Sequence, residues 1–146
     1  MRIKQLHPNF LMPTKGTQFA GAFDIYMPQE GYIEENSTVK VSLGFAAEVP
    51  EGHVALIFPR SGEGAKFGLE LNNTCGVIDA DYRGEWIATL RTKNGRFYAW
   101  NEGQRCLQFL IVPVADVQLE LATELSETKR GTGGYGSTGK GVQTVA

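Results

Sequence analysis

Hydrophobic and polar residues alternate along three short stretches of this chain, 39–46, 86–91 and 117–121. A period of two is typical of a β-strand with one buried face, because successive side chains of a strand point to opposite faces. The stretch 53–58 is more uniformly apolar. It predicts a strand that is covered on both faces.

A helical period of apolar residues is hard to find, since glycine or proline interrupts each candidate window. The chain contains 18 glycines and 6 prolines. The best short helix is predicted over 61–67, directly after Pro59. Many short strands separated by turn residues indicate an all-β sandwich or barrel.

Length and charge narrow the class of protein. A chain of 146 residues suits one domain, and a hydrophobic content of 42% is enough for a core. The formal net charge is −2. A polyanion would therefore be bound by a local cluster of cations, which argues against nonspecific binding to nucleic acid.

The chain has two cysteines, Cys75 and Cys106, and two histidines, His7 and His53. They are too few for a disulfide framework and lack the spacing of a zinc site. No secretory signal opens the sequence, and no apolar run approaches the length that spans a membrane. We expect no membrane partner and a reducing, cytoplasmic setting, which is the host cytoplasm if a phage encodes the chain.

The strand pattern stops near residue 126, which predicts a domain over 1–125 and a flexible arm over 126–146. Residues 130–139 of this arm combine one arginine, five glycines, one tyrosine and three hydroxyl side chains. Glycine-rich backbone can wrap an anion, arginine binds phosphate, and the aromatic ring can stack on a base. The arm therefore resembles a lid over a nucleotide, although a merely disordered terminus has the same composition.

Two polar clusters interrupt the strand pattern. In the turn 79–85, one of the two carboxylates, Asp79 or Asp81, could deprotonate or orient water beside apolar neighbours, whereas the alternative is ordinary turn chemistry. In the segment 59–62, Ser61 could bind phosphate beside Arg60 or could simply be the N-cap of the short helix.

Two further segments carry polar residues within apolar surroundings. Arg105 and Gln108, in the segment 103–109, lie on opposite faces of a predicted strand and cannot share one role. Asp24 lies in the otherwise apolar stretch 20–25. A buried carboxylate needs a partner, so Asp24 is either paired structurally or close to a cation.

Taken together and in this order, these segments resemble the five motifs of the trimeric deoxyuridine triphosphatase (dUTPase) family. The resemblance runs from about Ala20 to the C-terminus, and the third and fifth motifs are the most specific. Ala22 departs from the family, which often has glycine there. The five motifs are Ala-Gly-Ala-Phe-Asp-Ile at 20–25, Pro-Arg-Ser-Gly at 59–62, Gly-Val-Ile-Asp-Ala-Asp-Tyr-Arg-Gly-Glu at 76–85, Gly-Gln-Arg-Cys-Leu-Gln at 103–108 and the Arg-Gly…Gly-Ser-Thr-Gly tail at 130–139.

The resemblance implies a jelly-roll-like β fold that assembles as a homotrimer, with active sites at the subunit boundaries. It implies Mg²⁺-assisted hydrolysis of dUTP to dUMP and pyrophosphate, by water attack on the α-phosphorus. This reaction keeps uracil out of DNA and supplies dUMP for dTMP synthesis.

The resemblance also implies roles for individual residues. Asp79 would activate the attacking water, and Tyr82 would pack on the deoxyribose and exclude a 2′-hydroxyl. The uracil edge would be read by Asn73 and by the backbone of Gly76 and Ile78.

The remaining implied roles concern the triphosphate. The phosphates would be bound by Arg60, Ser61, Gly62 and Gln108. The arm would close over the γ-phosphate with Arg130, Gly136, Ser137 and Thr138, while Tyr135 would stack on uracil. Asp24 would act near magnesium through water, with the metal held mainly by the substrate phosphates, and Arg105 would be structural.

The sequence is also compatible with three other interpretations. The related dCTP deaminases share the fold, but the turn 79–82 fits the phosphatase pattern better. A nucleotide-dependent regulator that binds a partner protein is a second reading, and phage members of the family are candidates for it. A structural β protein such as a capsid domain is the third, and it would not need five polar motifs in this order.

Overall fold

The computed structural model describes residues 1–135 as eleven short strands and one helix. They fall into two compact units, Met1–Asp116 and the unit that begins at Val117. The elements in chain order are β1 Ile3–Gln5, β2 Phe23–Tyr26, β3 Gly31–Ile33, β4 Val39–Ser42, β5 Phe45–Ala47, β6 His53–Pro59, α1 Ser61–Phe67, β7 Leu69–Leu71, β8 Gly76–Ile78, β9 Ile87–Thr92, β10 Tyr98–Trp100 and β11 Arg105–Pro113.

The strands form four open sheets, and every pairing is antiparallel. The largest sheet has the order β2-β11-β6-β8, a second has the order β4-β9-β7, and the other two are the pairs β1-β5 and β10-β3. The all-β prediction with one short helix is confirmed. Within residues 1–135 the sheets do not close into a barrel, so the architecture is the open, jelly-roll-like alternative.

Three aromatic rings join the sheets in the core. The ring centroid of Trp86, which precedes β9, lies 4.9 Å from that of Phe45 on β5 and 5.1 Å from that of Phe109 on β11. All three side chains are almost fully buried. Aromatic pairs at such distances add about 0.5–1.5 kcal/mol each beyond their buried area. The rings therefore join β5 and β11 to the segment that precedes β9.

The alternation at 39–46 and at 86–91 correctly predicted β4, β5 and β9. The apolar run at 53–58 correctly predicted β6, but only one of its faces is fully covered. Ala55 and Ile57 are buried, whereas Leu56 on the opposite face is half-buried.

The strand predicted at 117–121 is wrong: no strand lies between 114 and 135. Its apolar side chains are exposed, Leu119 by 97% and Leu121 by 100%. An alternating hydrophobic pattern indicates which side chains would be buried in a strand, but it does not identify the strand or surface that buries them. The first compact unit ends at Asp116, so the residues of this segment belong to the second unit.

The helix α1 begins and ends where the sequence predicted, although its composition is poor for a helix. It contains Gly62 and Gly64 and buries none of its residues completely. Its N-cap is Arg60, whose side chain makes no capping hydrogen bond, and its C-cap is Gly68 at a φ of 71°. Ser61 is thus the first helical residue and not the N-cap. Within residues 1–135 we find no helix with the length and hydropathy needed to cross a bilayer.

Gly64 in the middle of α1 and Gly68 at its C-cap predict opposite effects of substitution on stability. A Cβ at Gly64 would lie 3.6 Å from the carbonyl oxygen of Leu69, an ordinary contact. Gly64→Ala should therefore raise the free energy of unfolding by about 0.5–1 kcal/mol, because alanine favours helix. Gly68→Ala should lower it by about 1–2 kcal/mol, because φ is positive there. Urea denaturation at one fixed protein concentration measures both, and a Gly64→Ala variant less stable than the parent would contradict this description of α1.

Candidate active site

A carboxylate between two arginines forms the centre of the first polar cluster. Asp24 on β2 lies opposite Gln108 of β11, and Gln108 lies opposite Phe58 of β6. The Asp24 carboxylate forms an ion pair with Arg60, whose Nε lies 2.8 Å from Oδ1, and its Oδ2 accepts a hydrogen bond from Arg105 Nη1 at 3.1 Å. Asp24 is only 7% exposed, so its charge needs these partners. The sequence predicted a partner for Asp24 without naming it.

This network fixes the position of Arg60 at the end of β6. The backbone N–H of Arg60 donates to the Cys106 carbonyl at 2.9 Å, and Nη1 donates to the Arg105 carbonyl at 3.3 Å. About a third of the Arg60 side chain stays exposed. Since a guanidinium has five N–H donors, donors remain for a phosphate.

Ser61, Gly62 and Gln108 flank the same point. Ser61 and Gly62 are exposed in the first turn of α1. Gln108 is half-buried and donates through Nε2 to the carbonyl of Pro59 at 3.0 Å. The predicted phosphate-binding residues of the first unit therefore do lie together, at one end of the β2-β11-β6-β8 sheet.

The donor set at Asp24 does not fit a resident metal ion. Both carboxylate oxygens are taken by guanidinium groups. Residues 1–135 contain no group of three or more His, Cys, Asp or Glu side chains arranged for a metal. A divalent cation at this place would have to arrive with other ligands, such as the oxygens of a phosphate chain.

The second polar cluster starts with β8 at the edge of the same sheet. Gly76 approaches β6 so closely that a Cβ there would lie 3.1 Å from Cβ of Ile57. Asn73 Nδ2 donates to the Cys75 carbonyl at 3.0 Å, and Thr74 adopts a φ of 71°. No strand among residues 1–135 pairs with the outer side of β8. Backbone N–H and C=O groups on that side, between Gly76 and Ile78, can therefore read the edge of a ligand.

The turn after β8 is braced by its own side chains. Tyr82 Oη donates to the Glu85 carbonyl at 3.0 Å, and a Cβ at Gly84 would clash with Tyr82 Oη. Arg83 Nη1 donates to the Ala80 carbonyl at 2.6 Å. These bonds hold the Tyr82 ring beside an exposed Asp79. The sequence analysis did not predict that Arg83 stabilises the turn.

Asp79 and Tyr82 share a small open pocket of about 180 Å³. Exposed apolar side chains, including Val77 at 58% exposure, form part of its wall. Ligand pockets usually measure about 300–1,000 Å³, so this one can take only part of a nucleotide. Its lining residues are Val77, Ile78, Asp79, Tyr82, Glu85 and Ile87.

The two polar clusters lie at opposite ends of the sheet. Antiparallel pairing sets Ile57 opposite Gly76 and Ala55 opposite Ile78. The next position along β8, Asp79, falls beside residue 54, whereas Arg60 follows the other end of β6. Six residues of strand span about 20 Å at about 3.3 Å each. One chain therefore does not bring Asp79 to the residues that the sequence predicts to bind phosphate.

The predicted arm residues belong to the second unit. Arg130 Nε donates to the carbonyl of Gly133 at 2.9 Å, and the Tyr135 side chain is fully exposed. Gly136, Ser137 and Thr138 lie outside the described residues.

One further polar cluster was missed by the sequence analysis. Tyr98 Oη donates to Glu63 Oε2 at 2.6 Å and lies 3.5 Å from Cys106 Sγ. Burial raises the pKa of the Cys106 thiol to about 11, so the thiol is protonated at neutral pH. These residues come from separate elements, and no local pattern in the sequence links them.

Comparison with known proteins gives this arrangement a family. A sequence model of the dUTPase family matches residues 9–139. Deoxyuridine 5′-triphosphate nucleotidohydrolases of Nautilia profundicola and Bdellovibrio bacteriovorus are 36% and 38% identical to the chain. The first alignment covers 96% of this chain and 99% of the relative, and the second covers 96% of both.

Solved structures agree with the sequence comparison. The dUTPase of Staphylococcus bacteriophage 80alpha superposes with a TM-score of 0.85 at 25% identity, over 95% of this chain and 98% of that one. The dUTPase of phage phi11 of S. aureus superposes with a TM-score of 0.76 at 22% identity, over 87% and 98%. On the family match, the close relatives and the shared fold, this chain belongs to the dUTPase family.

Proposed function

We propose that this protein hydrolyses dUTP to dUMP and pyrophosphate. The observation that carries the proposal is the pocket at the free edge of β8, where Asp79 and Tyr82 face one small cavity in a chain of the dUTPase family. The backbone edge suits a planar base, the ring suits a sugar, and the carboxylate suits the activation of water.

Base and sugar recognition is assigned to β8 and its turn. Backbone groups of Gly76 and Ile78, with Asn73, bind the uracil edge. The Tyr82 ring packs on the deoxyribose and excludes a 2′-hydroxyl. The hydrogen bond from the Tyr82 hydroxyl to the Glu85 carbonyl supports this role, because it fixes the orientation of the ring.

Triphosphate binding is assigned to the other end of the sheet. Arg60 and Ser61 bind phosphate oxygens together with Gly62 and Gln108, and the Asp24–Arg105 pair keeps Arg60 in place. The arm closes over the γ-phosphate through Arg130, Gly136, Ser137 and Thr138, and Tyr135 stacks on the base.

The reaction is a displacement at the α-phosphorus. Asp79 accepts a proton from the attacking water while the water oxygen bonds to the α-phosphorus. The bond between the α-phosphorus and the pyrophosphate leaving group then breaks. Such a reaction depends on positioning and charge neutralisation more than on covalent help. The substrate is the Mg²⁺ complex of dUTP, whose metal neutralises phosphate charge, and Asp24 acts near it only through water.

The active site is assembled from several copies of the chain, in a homotrimer. Three observations support assembly: the separation of about 20 Å between the two ends of β6, the 180 Å³ pocket that is too small for a whole nucleotide, and the exposed apolar residues Val117, Leu119 and Leu121. The number of copies rests on the family resemblance.

Asp79→Asn should bind dUTP and barely hydrolyse it. Losing a general base lowers kcat about 10²–10⁴-fold, while the contacts of the base, sugar and phosphates remain. Asp81→Asn, two residues along the same turn, is the matched control and should stay active. Pyrophosphate release measures turnover, and calorimetry with dUTP measures binding.

Two outcomes would overturn the assignment of Asp79. One is near-normal turnover in Asp79→Asn. The other is a parent protein that does not hydrolyse dUTP, or that releases ammonia from dCTP instead of pyrophosphate from dUTP.

Removal of residues 130–146 should leave a folded protein with very little dUTPase activity, because the arm supplies phosphate and base contacts. A shorter truncation that removes only 141–146, beyond the motif, is the control and should keep full activity. Circular dichroism checks folding, and pyrophosphate release checks turnover. Full turnover without residues 130–146 would show that the arm is not a lid.

A further inference from the structure

Glu63 is an acidic residue beside the segment proposed to bind the triphosphate. It lies in the first turn of α1, two residues after Ser61 and three after Arg60. A carboxylate that turned toward this segment would repel phosphate and compete for Arg60. The side chain therefore has to be held elsewhere if the segment is to bind a polyanion.

Tyr98 provides that restraint. Its hydroxyl donates to Glu63 Oε2 at 2.6 Å and lies 3.5 Å from the fully buried Sγ of Cys106. Tyr98 is itself only 6% exposed. The Glu63 carboxylate is thus drawn toward the core side of α1.

The tyrosine hydroxyl stays a donor under all ordinary conditions. Burial, and next the hydrogen bonds to Cys106 and Glu63, raise the pKa of Tyr98 far above neutral pH. Deprotonation of Tyr98 therefore does not break the bond to Glu63 near neutral pH.

The ring and the hydroxyl of Tyr98 have separable roles. The ring lies 5.8 Å from Phe67 at the end of α1 and 6.2 Å from Trp100. A phenylalanine at this position keeps both ring contacts and so keeps the helix packed. Loss of the hydroxyl removes the hydrogen bond to Glu63 and the contact with Cys106 Sγ, and the first of these losses frees the Glu63 carboxylate.

We propose that Tyr98 is a positioning residue that holds the negative charge of Glu63 away from the triphosphate-binding segment. The inference rests on the proposed function, because it assigns the phosphates to Arg60 and Ser61. Tyr98 touches no substrate and acts only through Glu63.

The test compares Tyr98→Phe, Glu63→Gln and the double variant with the parent. Tyr98→Phe should raise KM for dUTP about tenfold, with a smaller change in kcat, because a freed charge opposes binding. Glu63→Gln alone should stay within about twofold of the parent, since the amide oxygen still accepts from Tyr98. The double variant should recover a KM within about threefold of the parent, because the repelling charge is gone.

Tyr32→Phe is the matched control. Tyr32 lies on β3, which pairs with β10, and its exposed ring stacks on Phe97 at 5.9 Å. Removing its hydroxyl should leave KM unchanged.

Binding of inorganic tripolyphosphate, measured by calorimetry, gives a readout that needs no turnover. Its Kd should rise about tenfold in Tyr98→Phe and recover in the double variant. A parent-like Kd in Tyr98→Phe, or a loss that Glu63→Gln fails to rescue, would overturn the role of Tyr98. An inactive parent that still shows the loss and rescue would instead count against dUTP hydrolysis alone.

Discussion

The antiparallel pairing of β6 with β8 is the constraint on which the rest of the site depends. It places Arg60 after one end of β6 and Asp79 beside the other, about 20 Å apart along the strand. No side-chain rotation closes such a gap. The reaction proposed above uses both residues on one nucleotide, so it would require a second copy of the chain and would link activity to assembly.

Within each chain, the two ends of the sheet are prepared in different ways. At the end proposed to bind the phosphates, Asp24 pairs with Arg60 and Arg105, which leaves an oriented cation partly exposed. At the end proposed to bind the nucleoside, the Tyr82 hydroxyl is hydrogen-bonded to its own turn and lies over Gly84. Both devices lower the cost of ordering the site when a ligand binds.

The sequence predicted what local patterns determine. Strand periods predicted β4, β5 and β9, and the segment after Pro59 predicted α1. Contacts between distant segments could not be predicted from local patterns. Asp24 and Arg105 are 81 residues apart in the sequence, and Tyr98 and Glu63 are 35 apart. The error at 117–121 has the same origin, because alternation shows a need for burial without identifying the partner.

Subunit mixing tests the central claim, that one active site draws residues from different copies. Asp79→Asn and Ser61→Ala each damage one end of the sheet, and both should be nearly inactive alone. When equal amounts are unfolded and refolded together, about one quarter of the sites should combine an intact Asp79 with an intact Ser61 from different copies. The refolded mixture should therefore recover about a quarter of the parent dUTPase activity. A mixture no more active than the average of the two variants would contradict it.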